Sequence, residues 1–581
     1  MRKSQILSGW KNTADRVGGQ NTALPLDMPF GDAPATLTLE REIAVPEDEK
    51  NSAFYLETRC LSGRCTVYVD GEKAAVFRSV FAPCVTALSD FIKKGAPQTL
   101  RLEIEPEARP DGRFTFGGAR LISTRQSHFA LSDACDPIRV RTVFTKDGVR
   151  VLLHAEIENP NNYDVVLFRL CSPEGILLDV KSARPTAADA VFELPAPLLW
   201  EGVHAAYKYR AEVILQRDTE IIDLTEVKFG IRRFEPSEDG FFTLNGIKLP
   251  LNGAFLKGAG TPAELNCLRS LDANLVGLTA LDLKEELLNL CDEQGVMVFF
   301  MFPDTGDDRD FEELARLTRL LAAHPSVAFI GYRSQDPSYG KKFCNTVKEN
   351  SQFIYTAGGC DILNGEALSD AVPDVLFLKY TVSADKNGFT ELQSRFEEVL
   401  EAHLNYRFAV FPDAPACSFG KHTENPSQPD GSQEYFSGWH ARVWEIFSKQ
   451  KRVVCYFTGA LSDGFADDDL TGLTTLGCAA CKDAFWFYKT RFSAEAFIKL
   501  ASLPSKVTQK SISVKCYTNA KKLTLAVNGK TKKRWQPVQL SDGVYLFPDI
   551  RLKHRENTVT VSGDTGEDRG MVFRARKKLF H

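Results

Sequence analysis

One part of this 581-residue chain, from about residue 247 to residue 503, alternates short apolar runs with helical patterns. The apolar runs have the length and the β-branched content of buried strands. Helical patterns separate most of them, including Lys284–Gln294, which ends at Gly295. Eight such repeats within roughly 250 residues predict a (β/α)8 TIM barrel. The eight strand candidates start near Leu249, Asn274, Val296, Val327, Phe353, Val375, Arg407 and Val453.

The segments on either side of the barrel contain strand patterns without long helices. Asp70-Gly71 and Asn528-Gly529 each follow an alternating run, as expected for a hairpin turn. Short strands at this spacing predict β-sandwiches. We therefore predict four domains: a β-sandwich over residues 1–135, a second over 136–234, the TIM barrel over 235–503 and a C-terminal β-sandwich over 504–581.

The composition argues against several classes of protein. The net charge is −5, from 76 acidic and 71 basic residues, so we expect no binding to nucleic acid. No window approaches the ~20 apolar residues of a membrane span, and Met1–Trp10 lacks the apolar core of a signal peptide. We therefore expect neither a membrane location nor export.

The fourteen cysteines are scattered singly, which indicates free thiols in a reducing compartment and predicts a cytoplasmic protein. One C-x-x-C pair, Cys478 and Cys481, has no second pair and no nearby histidine. That context favours packing in a helix over zinc or redox chemistry. With no phosphate loop or ligand cluster elsewhere, we expect no metal and no cofactor.

Several motifs resemble those of glycoside hydrolase family 2, the family of β-galactosidases and β-glucuronidases. His324-Pro325-Ser326 followed by Gln335-Asp336 resembles the family segment N-H-P-S…W-S-x-G-N-E. The resemblance implies an N-terminal jelly-roll, an immunoglobulin-like second domain and hydrolysis of a β-glycoside. Further motifs in the family's order are Val67–Gly71, Pro197–Trp200, Phe229–Phe234, Leu244–Gly246 and Leu290–Gly295.

The working residues of a TIM barrel lie at the carboxyl ends of its strands. Retaining hydrolysis of a glycoside uses two carboxyl groups about 5–5.5 Å apart, one as nucleophile and one as acid/base. The resemblance implies Asp336 as the acid/base and, by strand counting, Asp413 as the nucleophile. It also implies that Gln335 binds the sugar 2-hydroxyl and that Tyr380 contacts the substrate. Asp304 is a further candidate for substrate contact because it follows the third barrel strand, and the alternative is a turn residue before Thr305-Gly306.

The chain departs from the family at this site. Both family glutamates become aspartates, and a ~1 Å misplacement of a reacting group can cost ~100-fold in rate. Asn274–Ala280 lacks the family's active-site Arg and His, and Gly253–Lys257 lacks another His. The retracted carboxylates therefore indicate either lost activity or a gap of about 6.5–9.5 Å, the inverting arrangement.

Other interpretations stay open. Asp336 and Asp413 each lie close to a proline, so either could simply cap a helix or a turn. The whole chain could also be a catalytically inactive relative that binds carbohydrate or a protein partner. A barrel mouth filled by Phe or Leu side chains, or a carboxylate pair more than ~10 Å apart, would favour that alternative. Assembly into a homo-oligomer is compatible with the sequence.

Overall fold

The computed structural model confirms the predicted architecture of a TIM barrel flanked by β-sandwiches. A search of its described helices found none that is long and apolar enough to cross a membrane. The structure describes residues 2–13, 20–79, 82–108, 113–131, 137–257, 260–279, 284–303, 310–334, 336–361, 373–382, 387–425, 427–464, 466 and 468–575.

The N-terminal domain is an antiparallel sandwich of a four-stranded and a six-stranded sheet, with a further two-stranded pair. Its strands alternate buried and exposed residues, so each sheet turns one face to a shared core. The predicted hairpin is present, with Asp70 and Gly71 in the left-handed region as its tight turn requires. The strands are β1 (Lys3–Leu7), β2 (Trp10–Asn12), β3 (Gln20–Thr22), β4 (Leu26–Pro29), β5 (Leu37–Ala44), β6 (Ala53–Arg59), β7 (Gly63–Val69), β8 (Glu72–Ser79), β9 (Cys84–Ala87), β10 (Pro97–Pro106), β11 (Arg113–Phe116), β12 (Gly118–Thr124) and β13 (His128–Phe129).

The second domain packs a three-stranded sheet on a four-stranded one, the layout of an immunoglobulin-like sandwich. Its strands are β14 (Ile138–Thr145), β15 (Gly148–Ala155), β16 (Ile157–Glu158), β17 (Asp164–Cys171), β18 (Leu177–Ala183), β19 (Asp189–Leu194), β20 (Tyr209–Arg217) and β21 (Glu220–Phe229). A small antiparallel sheet then leads into the barrel: β22 (Phe234–Pro236), β23 (Phe242–Leu244) and β24 (Ile247–Lys248).

Eight parallel strands close the barrel, and each begins within two residues of its predicted start. Helix α1 begins with a capping box between Thr261 and Glu264, and α2 ends at Gly295 in the left-handed conformation. The barrel elements are β25 (Leu251–Phe255), α1 (Pro262–Ser270), β26 (Leu275–Thr279), α2 (Glu285–Gln294), β27 (Met297–Met301), α3 (Asp310–Ala322), β28 (Val327–Tyr332), α4 (Pro337–Asn350), β29 (Tyr355–Asp361), β30 (Val375–Thr381), α5 (Gly388–Ala402), β31 (Arg407–Asp413), α6 (Gln433–Phe447), β32 (Val453–Ala460) and α7 (Asp483–Phe492).

The C-terminal domain is a sandwich of a four-stranded and a five-stranded sheet. Its first strand, Ile498–Leu500, pairs with the strand Ser511–Thr518, so the domain begins before residue 504, the boundary predicted from the sequence. The strands are β33 (Ile498–Leu500), β34 (Lys506–Val507), β35 (Ser511–Thr518), β36 (Thr524–Val527), β37 (Lys530–Thr531), β38 (Val538–Ser541), β39 (Val544–Arg551), β40 (Glu556–Gly563) and β41 (Gly566–Arg574).

Asp292 organises the junction between the second domain and the barrel. Its buried carboxylate accepts hydrogen bonds from the Ser326 amide at 3.0 Å and from His324 Nδ1 at 2.9 Å. Lys208 of the second domain lies 3.6 Å away, and Trp200 Nε1 donates to the Asp292 carbonyl at 2.9 Å. These residues precede β27 and β28 or lie in the second domain. The His-Pro-Ser motif therefore holds the amino-terminal end of the barrel, opposite its mouth.

Candidate active site at the barrel mouth

Asp413 ends β31 at the mouth of the barrel, beside the end of β30. The parallel register places it next to Thr381, whose Oγ1 donates to Asp413 Oδ2 at 3.4 Å. Lys379 lies two residues before Thr381 on the same face of β30, and its Nζ lies 3.4 Å from the same oxygen. Arg333 follows β28. Desolvation lowers the pKa of its guanidinium, and the charge of Asp413 opposes that shift. Asp413 therefore lies within ion-pair distance of one cation, Lys379, and acts electrostatically on a second, Arg333.

Asp336 caps helix α4. Its Oδ1 accepts from the Ser338 amide at 2.9 Å, and the Ser338 hydroxyl donates to Oδ1 and Oδ2 at 2.8 and 2.7 Å. These hydrogen bonds lower the pKa of the exposed Asp336 carboxyl. The capping alternative left open by the sequence is thus present. In this conformation Asp336 is a carboxylate at neutral pH, whereas a general acid must carry a proton.

The remaining predicted contacts differ in how far they can be placed. Gln335 and Asp304 lie outside the described residues. Tyr380 is fully buried, and its ring packs 4.6 Å from Phe447 of α6, in the layer between the barrel wall and its helices. Its neighbour Lys379 takes the inward side of β30. The predicted contact between Tyr380 and a sugar at the mouth is not supported by this position.

Five phenylalanines, here called the phenylalanine layer, fill the barrel below the mouth. The Phe255 ring lies 4.6 Å from that of Phe457 and 5.0 Å from that of Phe411. Phe299 and Phe377 complete the layer at 5.4 Å from each other. A Cβ at Gly277 would meet the Phe255 ring at 2.5 Å, so this glycine makes room for it. Among the described residues, the layer fills the barrel interior below the strand ends.

The segment after β32 forms another part of the rim. Its Asp469 accepts from Lys257, which follows β25, at 2.6 Å. Asp463 binds the fully buried Lys482 at 2.6 Å, and Lys482 also donates to the Leu470 carbonyl at 2.9 Å. Burial raises the pKa of Asp463 although Lys482 opposes the shift. The two ion pairs fix this segment over the closing seam between the first and last strands.

The sequence analysis did not select Lys257, Arg333 and Lys379, the cations near the mouth. A signal was present for Lys379, which interrupts an apolar run two residues before the strand end. Among the described residues, no group of three or more His, Cys, Asp and Glu side chains could hold a metal ion. The described mouth therefore offers carboxylates and cations, which suit the binding of a polar organic ligand.

No protein-family model matches this sequence. It is 20% identical to the β-glucuronidase of Bacteroides fragilis over an alignment of 591 positions, gaps included, which covers 90% of this chain and 84% of that protein. It is also 24% identical to the β-galactosidase of Thermoanaerobacter pseudethanolicus over 295 residues, 45% of this chain and 39% of that protein.

Solved structures agree over the full length. An FMN-binding β-glucuronidase from Facaelibacterium prausnitzii L2-6 superposes with a TM-score of 0.88 at 20% identity, covering 100% of this chain and 99% of that one. A Bacteroides uniformis β-glucuronidase gives a TM-score of 0.81 at 17% identity, covering 99% and 80%. The fold is thus shared across all four domains, while the low identity fits the departures at the mouth. This chain is a divergent relative of the glycoside hydrolase family 2 enzymes.

Proposed function

We propose that this protein hydrolyses a β-linked sugar at the mouth of its barrel. The observation that carries the proposal is similarity over nine-tenths of the chain to a β-glucuronidase, together with Asp413, which ends the seventh barrel strand 3.4 Å from Lys379. The fold alone would not support an activity, because the same barrel serves unrelated reactions. The proposal therefore depends on the residues at the strand ends.

Asp413 is the proposed nucleophile. A nucleophilic carboxylate must reach the anomeric carbon in its charged form, and Lys379 Nζ lies 3.4 Å from Asp413 Oδ2. Thr381 fixes the carboxylate orientation through its hydroxyl. Attack of Asp413 on the anomeric carbon gives retention through a glycosyl-enzyme intermediate.

Asp336 is the proposed acid/base. To protonate the leaving oxygen, its carboxyl group must exchange the hydrogen bonds of Ser338 for the glycosidic oxygen and take up a proton. A bound sugar that excludes water from the mouth raises the pKa of a carboxyl group in this way. Gln335 and Asp304 are the proposed partners of sugar hydroxyls.

An anionic sugar such as a β-glucuronide fits the mouth best. Lys257 and Arg333 each follow a barrel strand, and Lys379 lies two residues before the end of another. Lys257 pairs with Asp469 and Lys379 with Asp413, and both lysine side chains remain partly exposed to a ligand. A uronate carboxylate would accept charge-assisted hydrogen bonds from such cations, each worth about 1.5–3 kcal/mol. A neutral glucoside or galactoside gains none of this.

Hydrolysis of 4-nitrophenyl β-glucuronide, β-glucoside and β-galactoside tests the proposal. Asp413→Asn and Asp336→Asn should each abolish turnover. Asparagine keeps the capping hydrogen bond at position 336, so a loss of activity there reports on the acid and not on folding. Asp179→Asn, on the exposed strand β18 of the second domain, is the control. NMR of the first product separates retention from inversion, and activity that survives both mutations would remove these aspartates from the mechanism.

A second function, binding of carbohydrate without hydrolysis, is favoured by one observation. The phenylalanine layer fills the barrel just below the strand ends, and Asp336 is engaged as a helix cap. A protein of this kind would release no nitrophenol from any of the three glycosides. It would still bind the free sugar, with a saturable heat in calorimetry that Lys379→Met weakens.

We place the protein in the cytoplasm, because all twelve cysteines that the structure describes are free thiols. Its proposed partner is the carbohydrate itself, and self-association is open to measurement by light scattering. A cytoplasmic enzyme of this type would act on sugars taken up by the cell.

A further inference from the structure

Three cysteine thiols from distant parts of the chain meet at the outer side of the barrel seam. Cys267 lies on α1, Cys478 ends the 3-10 turn Leu476–Cys478, and Cys481 lies just before α7. Helix α1, which carries Cys267, packs against the turn that ends at Cys478, and Cys267 interacts electrostatically with both Cys478 and Cys481. All three side chains are partly exposed. The sequence placed the C-x-x-C pair in helix packing; the structure places it in a turn beside a third thiol.

The turn that carries the pair is held by its own backbone. Gly477 and Cys478 adopt left-handed conformations, with φ of 64° and 60°. The Thr475 carbonyl accepts from the Cys478 amide at 2.9 Å, and the Thr475 hydroxyl accepts from the Ala480 amide at 2.9 Å. The turn packs against α1, which brings Cys267 close to the pair.

The surroundings of the two turn cysteines favour thiolates. The hydrogen bond from Cys267 lowers the pKa of the Cys481 thiol, and the positive charges of Lys499 and Lys489 lower it further. Cys478 gains the same hydrogen bond from Cys267 and one from Thr474, and its pKa is lowered too. Burial instead raises the pKa of the Cys455 thiol inside the barrel. The thiolate is the form that reacts with oxidants and disulfides.

We infer that Cys267, Cys478 and Cys481 form a reversible oxidation site, in which Cys267 takes a disulfide bond with either of the other two. With hydrogen peroxide as oxidant, the Cys481 thiolate attacks a peroxide oxygen, the O–O bond breaks, and a sulfenic acid and hydroxide form; the proton that Cys481 lost on ionising converts this hydroxide to water. The Cys267 thiol then attacks the sulfenic sulfur, the S–S bond forms, and the sulfenic hydroxyl leaves as water with the proton of Cys267. The sum is two thiols and one peroxide to one disulfide and two waters. Cys478 can attack the new disulfide and exchange partners with Cys481.

The disulfide would tie α1 to the segment after the last barrel strand. That segment is the one whose Asp463 and Asp469 bind Lys482 and Lys257 at the rim of the mouth. Oxidation would therefore restrain the rim covalently from the outside, without using a residue proposed for hydrolysis. A third thiol next to the bond makes it easy to reduce, since exchange opens it from within.

Peptide mapping of the full chain after mild hydrogen peroxide tests the site. Free thiols are blocked first, and trypsin then releases residues 258–269 with Cys267 and residues 453–482 with Cys478, Cys481 and the buried Cys455. We expect these two peptides to be joined, with a mass 2 Da below their sum, and to separate on dithiothreitol. Oxidation that leaves residues 258–269 unlinked in the native chain would overturn the inference.

Single variants identify the bond. Cys267→Ser should abolish the link, whereas Cys478→Ser and Cys481→Ser should each keep it through the remaining thiol. Cys60→Ser, which removes the exposed cysteine of the N-terminal domain, is the control and should keep the link. The thermal midpoint of each reduced variant reports on folding. In Cys478→Ser/Cys481→Ser the only cysteine left in residues 453–482 is Cys455, so a linked peptide pair that persists in this double variant would contradict the assignment of the bond to the cluster.

Discussion

Replacement of Lys482 by methionine should strongly destabilise the barrel. The lysine side chain is fully buried, and its two hydrogen bonds run to Asp463 at 2.6 Å and to the Leu470 carbonyl at 2.9 Å. Methionine matches its length but leaves the Asp463 carboxylate, itself only 6% exposed, with the Gly472 amide as its other hydrogen-bond donor. Removal of one partner of a buried pair costs roughly 3–5 kcal/mol. We expect a loss of that size at pH 8.

The loss should depend on pH with a defined sign. Burial already raises the pKa of Asp463 in the folded chain, and without Lys482 it should rise further. A group whose folded pKa exceeds its unfolded value destabilises the fold above that pKa, and the penalty disappears as protonation neutralises it. The deficit of Lys482→Met against the native chain should therefore be smaller at pH 5 than at pH 8. In Asp463→Asn/Lys482→Met no carboxylate is buried, so the deficit should shrink at both values.

Urea titration followed by tryptophan fluorescence measures this. Trp439, Trp444 and Trp486 lie on α6 and α7, next to the affected segment, and report on the barrel transition. Equal deficits at pH 5 and pH 8, or a loss below about 1 kcal/mol at pH 8, would refute the assignment of a buried ion pair whose charges depend on each other.

Four further predictions follow from the geometry. Asp413→Asn should lower the turnover of any glycoside substrate by at least ~100-fold without a change in melting temperature, measured by nitrophenol release. Lys379→Met should raise KM for a β-glucuronide ~10-fold or more and leave that for a β-glucoside unchanged, as expected for one charge-assisted hydrogen bond. Phe457→Ala should cost about 3–5 kcal/mol in urea titrations, because the ring is fully buried in the phenylalanine layer. Burial lowers the pKa of His440 to about 3, so the unfolded chain binds the proton first as the pH falls. Between pH 6.5 and 4.5 the free energy of unfolding of the native chain should therefore fall by about 2–3 kcal/mol more than that of His440→Asn, measured from the unfolding midpoint at each pH.

The sequence predicted the barrel well because buried parallel strands are short apolar runs with clear limits. Every strand began within two residues of its expected position, and the turn at Asp70-Gly71 followed from its residue types. The direction in which each side chain of a barrel strand points is harder to predict than the limits of the strand. Lys379 and Tyr380 are neighbours on β30, and the alternation of side chains puts one in the barrel and the other among the helices. A strand that is apolar on both faces does not show which of its residues point into the barrel and which point toward the helices.

The candidate site also depends on contacts that no local pattern contains. An aspartate before proline at a strand end fits a catalytic acid and a helix cap equally well, and only the Ser338 hydrogen bonds distinguish the two states of Asp336. The thiol cluster joins cysteines from opposite ends of the barrel sequence, so a search for nearby C-x-x-C pairs finds only two of its three members. Closure of the barrel brings α1 beside the turn that carries Cys478, which no sequence pattern shows.

The contacts of Asp292 at the junction between the second domain and the barrel bear on how relatives of this protein are found by sequence. The histidine and serine of the His-Pro-Ser motif bind a carboxylate at the amino-terminal end of the barrel, far from the chemistry. The motif therefore reports on the docking of the second domain against the barrel and carries no information about the residues at the mouth. A sequence search keyed to this motif should therefore collect active hydrolases and silent descendants together. Only the residues after the fourth and seventh strands can separate the two groups.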